Sequence, residues 1–351
     1  MTSVVFYRKY RPQTLKEIVG QAHVVTILER ALAQHRIAHA YLFSGPRGTG
    51  KTTIARIIAR ELECMPEDII EIDAASSRGI DEARALRDAV RFLPLRSPKK
   101  VYIIDEVHML TKEAFNALLK TIEEPPEHVV FILATTELEK VPDTIVSRTQ
   151  HFSFHKIAIP DIARELARIA RLEKLSIEED ALKLIAFFAD GALRDAENLL
   201  FQMQGLGEKT TTERDVRILL GAPEEENVNN IIEHALMSEA HEMLKVFNKV
   251  LHEGADPKML ARLLLRNARA LYLLSADQAT KSILQEEFTK EEIERFFAIL
   301  QKVQKRSDAR SVLARTEYTV SLLLEAARQP ADDFLAHIPL ELALLKIATR
   351  Q

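Results

Sequence analysis

Up to Phe154 the chain alternates unbroken apolar runs with stretches in which apolar positions recur every three or four residues. Tyr41-Leu42-Phe43 precedes a glycine-rich turn, and Ile54, Ile57 and Ile58 follow at helical spacing. Ile69-Ile70-Glu71-Ile72, Val101-Tyr102-Ile103-Ile104 and Val129-Val130-Phe131-Ile132-Leu133 read as three more strands, and Phe152 with Phe154 as a possible fifth. A strand apolar at nearly every position has both faces covered. Alternation of such strands with helical patterns predicts a mostly parallel sheet flanked by helices.

After Pro160 the strand pattern stops. Ser176 followed by Glu179 has capping-box spacing ahead of Leu182, Leu184 and Ile185. That helical segment is expected to end near Gly221-Ala222-Pro223. Beyond it, Asp256-Pro257 fits a helix N-cap and first position, with Leu260, Leu263, Leu264, Ala268 and Leu271 on one face. Thr289 with Glu292 repeats the capping-box spacing. Glycine supports the division: of ten in the chain, only Gly254 lies beyond Gly221, which suits long helices joined by short turns. The expected domains are an α/β nucleotide-binding domain over 1–156, a small helical domain over 157–221 and an all-α domain over 222–351.

Three of the glycines fall within six residues. Gly45-Pro46-Arg47-Gly48-Thr49-Gly50-Lys51-Thr52 satisfies G-x-x-x-x-G-K-[ST], a phosphate-binding loop placed between a strand and a helix. The glycines let backbone N–H groups close around phosphate oxygens while the following helix presents its positive end. Gly45, Gly48, Thr49, Gly50, Lys51, Thr52 and Thr53 are therefore expected at an ATP molecule, with Lys51 on the β and γ phosphates and the Thr52 hydroxyl on Mg²⁺. Asp105-Glu106 ends the third strand. Alone, such a pair is a solvated turn; beside a phosphate loop, Asp105 suits the metal side and Glu106 a general base for water. Thr135 and Thr136 follow the fourth strand, where a hydroxyl could sense the γ-phosphate or merely serve the turn. His108 reads as a polar neighbour without a catalytic task.

Net charge and composition narrow the partners. The chain of 351 residues carries a formal charge of −4 and no tryptophan, so contact with nucleic acid needs a local patch and base stacking is not its mode. One candidate patch is a helix expected from an Asp81 N-cap to Pro94, with Arg84, Arg87 and Arg91 in one stripe. Taken alone the stripe is a solvated face. No run of eighteen apolar residues suggests a membrane span, the N-terminus reaches charge too early for a signal peptide, and a single cysteine, Cys64, allows neither an internal disulfide nor a cysteine zinc site. A cytoplasmic protein is expected.

Further segments occur in order: Tyr10-Arg11-Pro12, Val19-Gly20-Gln21, Ile72-Asp73-Ala74-Ala75-Ser76, Asp105-Glu106-Val107-His108-Met109-Leu110, Phe115 through Pro126, and Ala134-Thr135-Thr136. With the loop at Gly45 they make the chain resemble the gamma/tau subunits of bacterial DNA polymerase III, the AAA+ ATPases of clamp loaders, and more distantly the small subunits of replication factor C. The resemblance is dense from Tyr7 to Phe154 and thinner beyond. It implies a helical lid and an oligomerising helical collar after the ATPase domain. It implies an ATP hydrolase whose partners are other loader subunits, a sliding clamp and primer–template DNA bound without regard to sequence. Tyr10, Arg11, Pro12 and Val19 would surround the adenine. Ser147-Arg148 matches the arginine-finger motif acting on a neighbouring subunit's ATP, and Gly191-Ala192-Leu193-Arg194-Asp195 the lid sensor acting on its own. Arg84, Arg87 and Arg91 would follow duplex phosphates, and Phe92-Leu93 would anchor on the clamp.

The chain departs from the family pattern in three places. Where the family usually carries four zinc-binding cysteines, only Cys64 stands, so no zinc is expected. Thr149 replaces the cysteine that usually ends the arginine-finger motif, peripheral to its charge chemistry. The sequence is also expected to stop near the end of a collar-like domain and so to lack the extension through which, by the resemblance, the tau form would reach polymerase and helicase. Two rival readings stand beside this one: a branch-migration or helicase-type motor, which shares the loop and the acidic pair, and a non-hydrolysing structural subunit of the same loader, against which the intact Lys51, Thr52, Asp105 and Glu106 speak.

Overall fold

The computed structural model describes residues 4–77, 79–205, 210–306, 308–329 and 336–349. They form two compact units, the first comprising Met1–Leu175 with Ile185–Gly207, the second Ser176–Leu184 with Glu208–Gln351.

The first unit is built on a five-stranded parallel sheet of β1 (Ala40–Ser44), β2 (Ile69–Asp73), β3 (Lys100–Asp105), β4 (Val129–Thr135) and β5 (Gln150–Ser153), in the order β2-β3-β4-β1-β5. The helices are α1 (Phe6–Lys9), α2 (Ala22–Ala33), α3 (Lys51–Glu61), α4 (Ile80–Ala89), α5 (Lys112–Glu123), α6 (Asp143–Val146), α7 (Ile159–Leu172), α8 (Glu179–Phe188) and α9 (Leu193–Gln204), α8 passing from one unit to the other. The unbroken apolar runs follow from the period of two along a strand. Leu42, Tyr102, Ile104, Phe131 and Leu133 face a core shared with α4 and α5. Their alternates Tyr41, Phe43, Val101, Ile103, Val130 and Ile132 face a second core with Val24 and Leu28 of α2 and Ile54, Ile57 and Ile58 of α3. The five strands lie where the pattern predicts them, except that β5 stops at Ser153, short of Phe154.

That order has a chemical consequence. β4 lies between β1 and β3, so the ends of all three open onto one edge of the sheet, with Ser44 level with Thr135 and Asp73 level with Asp105. In a parallel sheet the carboxyl ends of the strands, where the strand order reverses, are where ligands bind.

The second unit is helical: α10 (Glu213–Leu220), α11 (Glu225–Leu236), α12 (Ala240–His252), α13 (Pro257–Ala276), α14 (Lys281–Leu284), α15 (Lys290–Gln304), α16 (Ala309–Arg328) and α17 (Ile338–Thr349). Asp256 caps α13 by accepting from the amides of Lys258 and Met259, and Thr289 and Glu292 close a reciprocal capping box on α15, both as predicted. The Ser176–Glu179 box does not form. Ser176 pairs with Thr210 through its hydroxyl, its carbonyl accepts from Thr211, and α8 begins only at Glu179. The bridge between Ile177 and Thr211 takes the backbone that a cap would need. Among the described residues no helix is long and apolar enough to cross a membrane.

Candidate active site

Leaving β1, the backbone turns through positive φ at Gly45 (135°), Gly48 (75°) and Gly50 (105°). A Cβ on Gly45 would stand 2.2 Å from the carbonyl oxygen of Phe154, and one on Gly48 2.8 Å from the Ala192 Cβ. Glycine is needed at both for conformation and for room. α3 then starts at Lys51, so its first amides point, unpaired within the helix, into the loop. The Lys51 side chain is buried and folds back, its Nζ donating to the carbonyls of Gly45 at 2.7 Å and Pro46 at 2.8 Å. Burial lowers its pKa against the pull of Glu106 and Asp105. A buried ammonium ringed by amide donors is a receptacle for an anion of several charges.

Two carboxylates face it from the end of β3. Thr52 Oγ1 donates to Asp105 Oδ2 at 2.8 Å, and Asp105 Oδ1 accepts from the Glu106 amide at 3.0 Å. This hydroxyl–carboxylate pair suits Mg²⁺, which takes oxygen ligands and fills most of its shell from water and phosphate. Glu106 has left-handed backbone (φ 48°), which turns the chain sharply off the strand. Its Oε2 accepts from Thr136 Oγ1 at 3.0 Å and from the Thr136 amide at 3.3 Å.

Thr135 is buried elsewhere. Its hydroxyl lies 3.0 Å from His108 Nδ1 and accepts from the Glu137 amide, so of the two candidate hydroxyls it is Thr136 that meets the carboxylate. His108, passed over in the sequence, sits 3.4 Å from Glu106 Oε2 and 3.1 Å from Glu137 Oε1. The segment Asp105–Leu110 contains it without showing these partners, which the fold supplies by bringing the ends of β3 and β4 together.

The loop and the carboxylates wall a cavity of about 390 Å³. Gly48, Thr49, Gly50, Lys51, Thr52, Thr53, Asp105 and Glu106 line one part; Arg11, Pro12, Val19 and Arg194 reach it from other elements. Tyr10 does not. Its hydroxyl donates to Glu173 at 2.5 Å, which turns the ring away, and the cavity is lined instead by Tyr7, with the Arg194 guanidinium 4.7 Å from its ring centre.

Comparison with known proteins bears on this site. The family model described as DNA polymerase III, delta subunit, matches residues 20–75 and 66–158, and that of DNA polymerase III subunits gamma and tau domain III matches 211–307. The gamma subunit of Buchnera aphidicola subsp. Acyrthosiphon pisum is 34% identical over 99% of this chain and 99% of its own length. The chain belongs to the DNA polymerase III gamma/tau family. The tau subunits of Bacillus subtilis and Escherichia coli are each 40% identical, over 81% and 73% of this chain; it spans 54% and 43% of their lengths, about half. In fold, the first part of this gamma/tau chain is AAA+. The Holliday junction branch migration motor RuvB of Thermotoga maritima aligns with a TM-score of 0.52 at 23% identity, over 63% of this chain and 78% of that one.

Other residues expected to serve a gamma/tau subunit lie away from the cavity. Arg148 does not line it; its Nε pairs with Glu123 at 2.9 Å and a terminal nitrogen donates to the Thr144 carbonyl. α4 begins at Ile80 with Gly79 as its N-cap, so Asp81 lies inside the first turn, where its carboxylate meets Arg84 at 3.6 Å instead of capping. The helix also ends at Ala89, short of Pro94. Arg84 and Arg91 are exposed and Arg87 half-buried against Asp88. Phe92 (69% exposed) and Leu93 (74%) are not local core, and Leu95 (77%) extends their apolar tip. Cys64 is buried with Sγ 3.2 Å from the Lys99 carbonyl, and burial pushes its thiol up to about 11.

Proposed function

We infer that this chain is an ATP hydrolase of the DNA polymerase III holoenzyme, an ATPase subunit of a sliding-clamp loader. The reading is carried by one observation. Buried Lys51, the Thr52–Asp105 pair and Glu106 surround a single cavity in a gamma/tau chain. Lys51 and the loop amides hold the triphosphate of ATP, and Glu106 takes a proton from the attacking water. Thr52 and Asp105 hold Mg²⁺, which when bound offsets phosphate charge. Thr135 orders this end of β4 by fixing His108. Arg194 reaches the phosphates from its own chain, and Arg148 reaches those of a neighbouring subunit, stabilising charge as the bond breaks.

In this reading residues 1–156 are the ATPase domain, 157–221 the lid and 222–351 a collar that joins the subunits of an oligomer in the cytoplasm. ATP binding opens a ring clamp docked on Phe92 and Leu93, Arg84, Arg87 and Arg91 follow primer–template phosphates irrespective of sequence, and hydrolysis releases the clamp on DNA. No zinc takes part. The fold likeness to RuvB favours a branch-migration motor as the alternative, but the match of residues 211–307 to gamma and tau domain III supports the loader.

The test is phosphate release by the chain with its companion subunits, with and without primed DNA and clamp. Stimulation by both together is expected, none in Lys51→Ala, and a flattened salt dependence when Arg84, Arg87 and Arg91 are all alanine. Stimulation by DNA that clamp leaves unchanged would favour the motor. Failure to retain ATP at all would end the reading.

A further inference from the structure

One buried acid in the cavity wall takes no part in phosphate chemistry. Glu197, on α9 one turn beyond Arg194, is 5% exposed and lines the cavity. Among the described residues none hydrogen-bonds its carboxyl; it feels only burial, the Glu165 carboxylate and the Arg168 guanidinium, both on α7. Arg168 is itself occupied by Glu165, with which it forms two hydrogen bonds. The charges felt by Lys51 are a different set, Glu106 and Asp105, so Glu197 stands apart from the phosphate end. Its companions in the wall include Ile18, Val19 and Ile157. A Cβ on the neighbouring Gly20 would touch Ile157 at 2.9 Å, which shows how closely these apolar residues gather. A cavity beside a phosphate loop, with Ile18, Val19 and Ile157 in its wall and one buried carboxyl left without a hydrogen-bond partner, has the chemistry of a base site.

We propose that Glu197 reads the nucleotide base, its carboxyl meeting the hydrogen-bonding edge of adenine. The proposal rests on the ATP reading above. Burial first, and Glu165 second, hold this carboxyl protonated up to about 8, with Arg168 opposing. The other ionisable groups near this end are Tyr7 from α1, Arg11 after it and Arg194 on α9 itself. A neutral acid offers one donor and one acceptor. Adenine presents the complement, an amino N–H beside a ring nitrogen lone pair, and the two pair in a ring of two hydrogen bonds. An ionised carboxylate has acceptors alone. It repels that lone pair and suits guanine, whose ring N–H and amino group are adjacent donors. Preference for adenine therefore belongs to the protonated state and fades as pH rises through about 8.

Competition of ATP and GTP for the intact chain with its companion subunits, at pH 7 and pH 9, tests this. The ratio of the two affinities cancels any titration of Lys51 or the phosphates. The ATP preference is expected to fall about tenfold between the two pH values in the wild type, the loss of one charge-dependent hydrogen bond. Glu197→Gln, which keeps one donor and one acceptor at every pH, is expected to hold the ratio constant, its fold checked by its melting curve. A wild-type ratio that does not move with pH, or a Glu197→Gln profile that follows the wild type, overturns the proposal while leaving ATP binding intact. Failure of both nucleotides to bind overturns the ATP reading as well.

Discussion

Glu106 is held in a backbone conformation that costs a non-glycine residue about 1 kcal/mol or more, and that turn points its carboxylate at Thr136. Replacing it with glutamine keeps the shape and the contact with Thr136 but removes the proposed proton acceptor. Glu106→Gln is expected to lower phosphate release at saturating ATP by about 10²–10⁴-fold, the usual contribution of a general base, while leaving ATP affinity near wild type. Parallel turnover and equilibrium binding measurements decide it; turnover within a few-fold of wild type would mean that another group takes the proton. Side chains whose position is fixed by covalent neighbours could be placed from the sequence: Lys51 and Thr52 follow their loop, and Asp105 ends its strand. Those that depend on what a distant segment does could not. Tyr10 and Tyr7 are equivalent in pattern, yet Glu173, more than a hundred and sixty residues on, captures the first hydroxyl and leaves the second ring in the cavity. Glu197 looks like any polar helix residue until α7 and the cavity wall bury it.

The helix caps divide in the same way. Asp256 and Thr289 cap with partners in the first turns of their own helices, whereas Ser176 is drawn into contact with Thr210 and Thr211. The central strands β1, β3 and β4 were legible because burial on both faces leaves a local trace at nearly every position, whereas the edge strands β2 and β5 are only partly covered. The apolar tip after α4 is held by a residue that no motif flags. Asp68, fully buried, accepts from the amides of Leu95, Arg96 and Ser97 at 2.6, 3.0 and 3.0 Å. Burial opposes its charge, and these amides with Ser97 outweigh burial, bringing the carboxyl down to about 2 from its ordinary 3.8. Because the folded value is the lower one, the stabilisation is complete above the ordinary value and is lost as pH falls through it towards 2. Asp68→Asn keeps the size but can satisfy fewer donors, and is expected to cost about 1–3 kcal/mol. Hydrogen exchange of the Leu95, Arg96 and Ser97 amides would report it, rising in the variant at neutral pH; unchanged protection would show that the segment is held by something else. The proposed docking of a clamp on Phe92 and Leu93 should weaken in step.

Taken as a whole, the chain carries a small net negative charge, but its cavity gathers Lys51, Arg11, Arg47 and Arg194 in one wall. Arg148 is the arginine of the family motif that stays out. Its contacts with Glu123 and Thr144 leave it partly exposed, and an arginine outside its own site can stabilise a transition state only in another copy's. Two chains, each inactive alone, should then repair one another. Arg148→Ala retains an intact nucleotide site but offers no arginine to its neighbour, while Lys51→Ala loses its own site but keeps Arg148. In assembled loaders made from either variant, hydrolysis should fall by about 10³-fold or more. When the two are mixed before assembly, every interface that sets a Lys51→Ala chain's Arg148 against an Arg148→Ala chain's cavity should regain activity. Mixed particles no more active than the separate ones would instead place Arg148 in a structural role, through its pair with Glu123, because a structural defect travels with the chain that carries it and a neighbour cannot correct it.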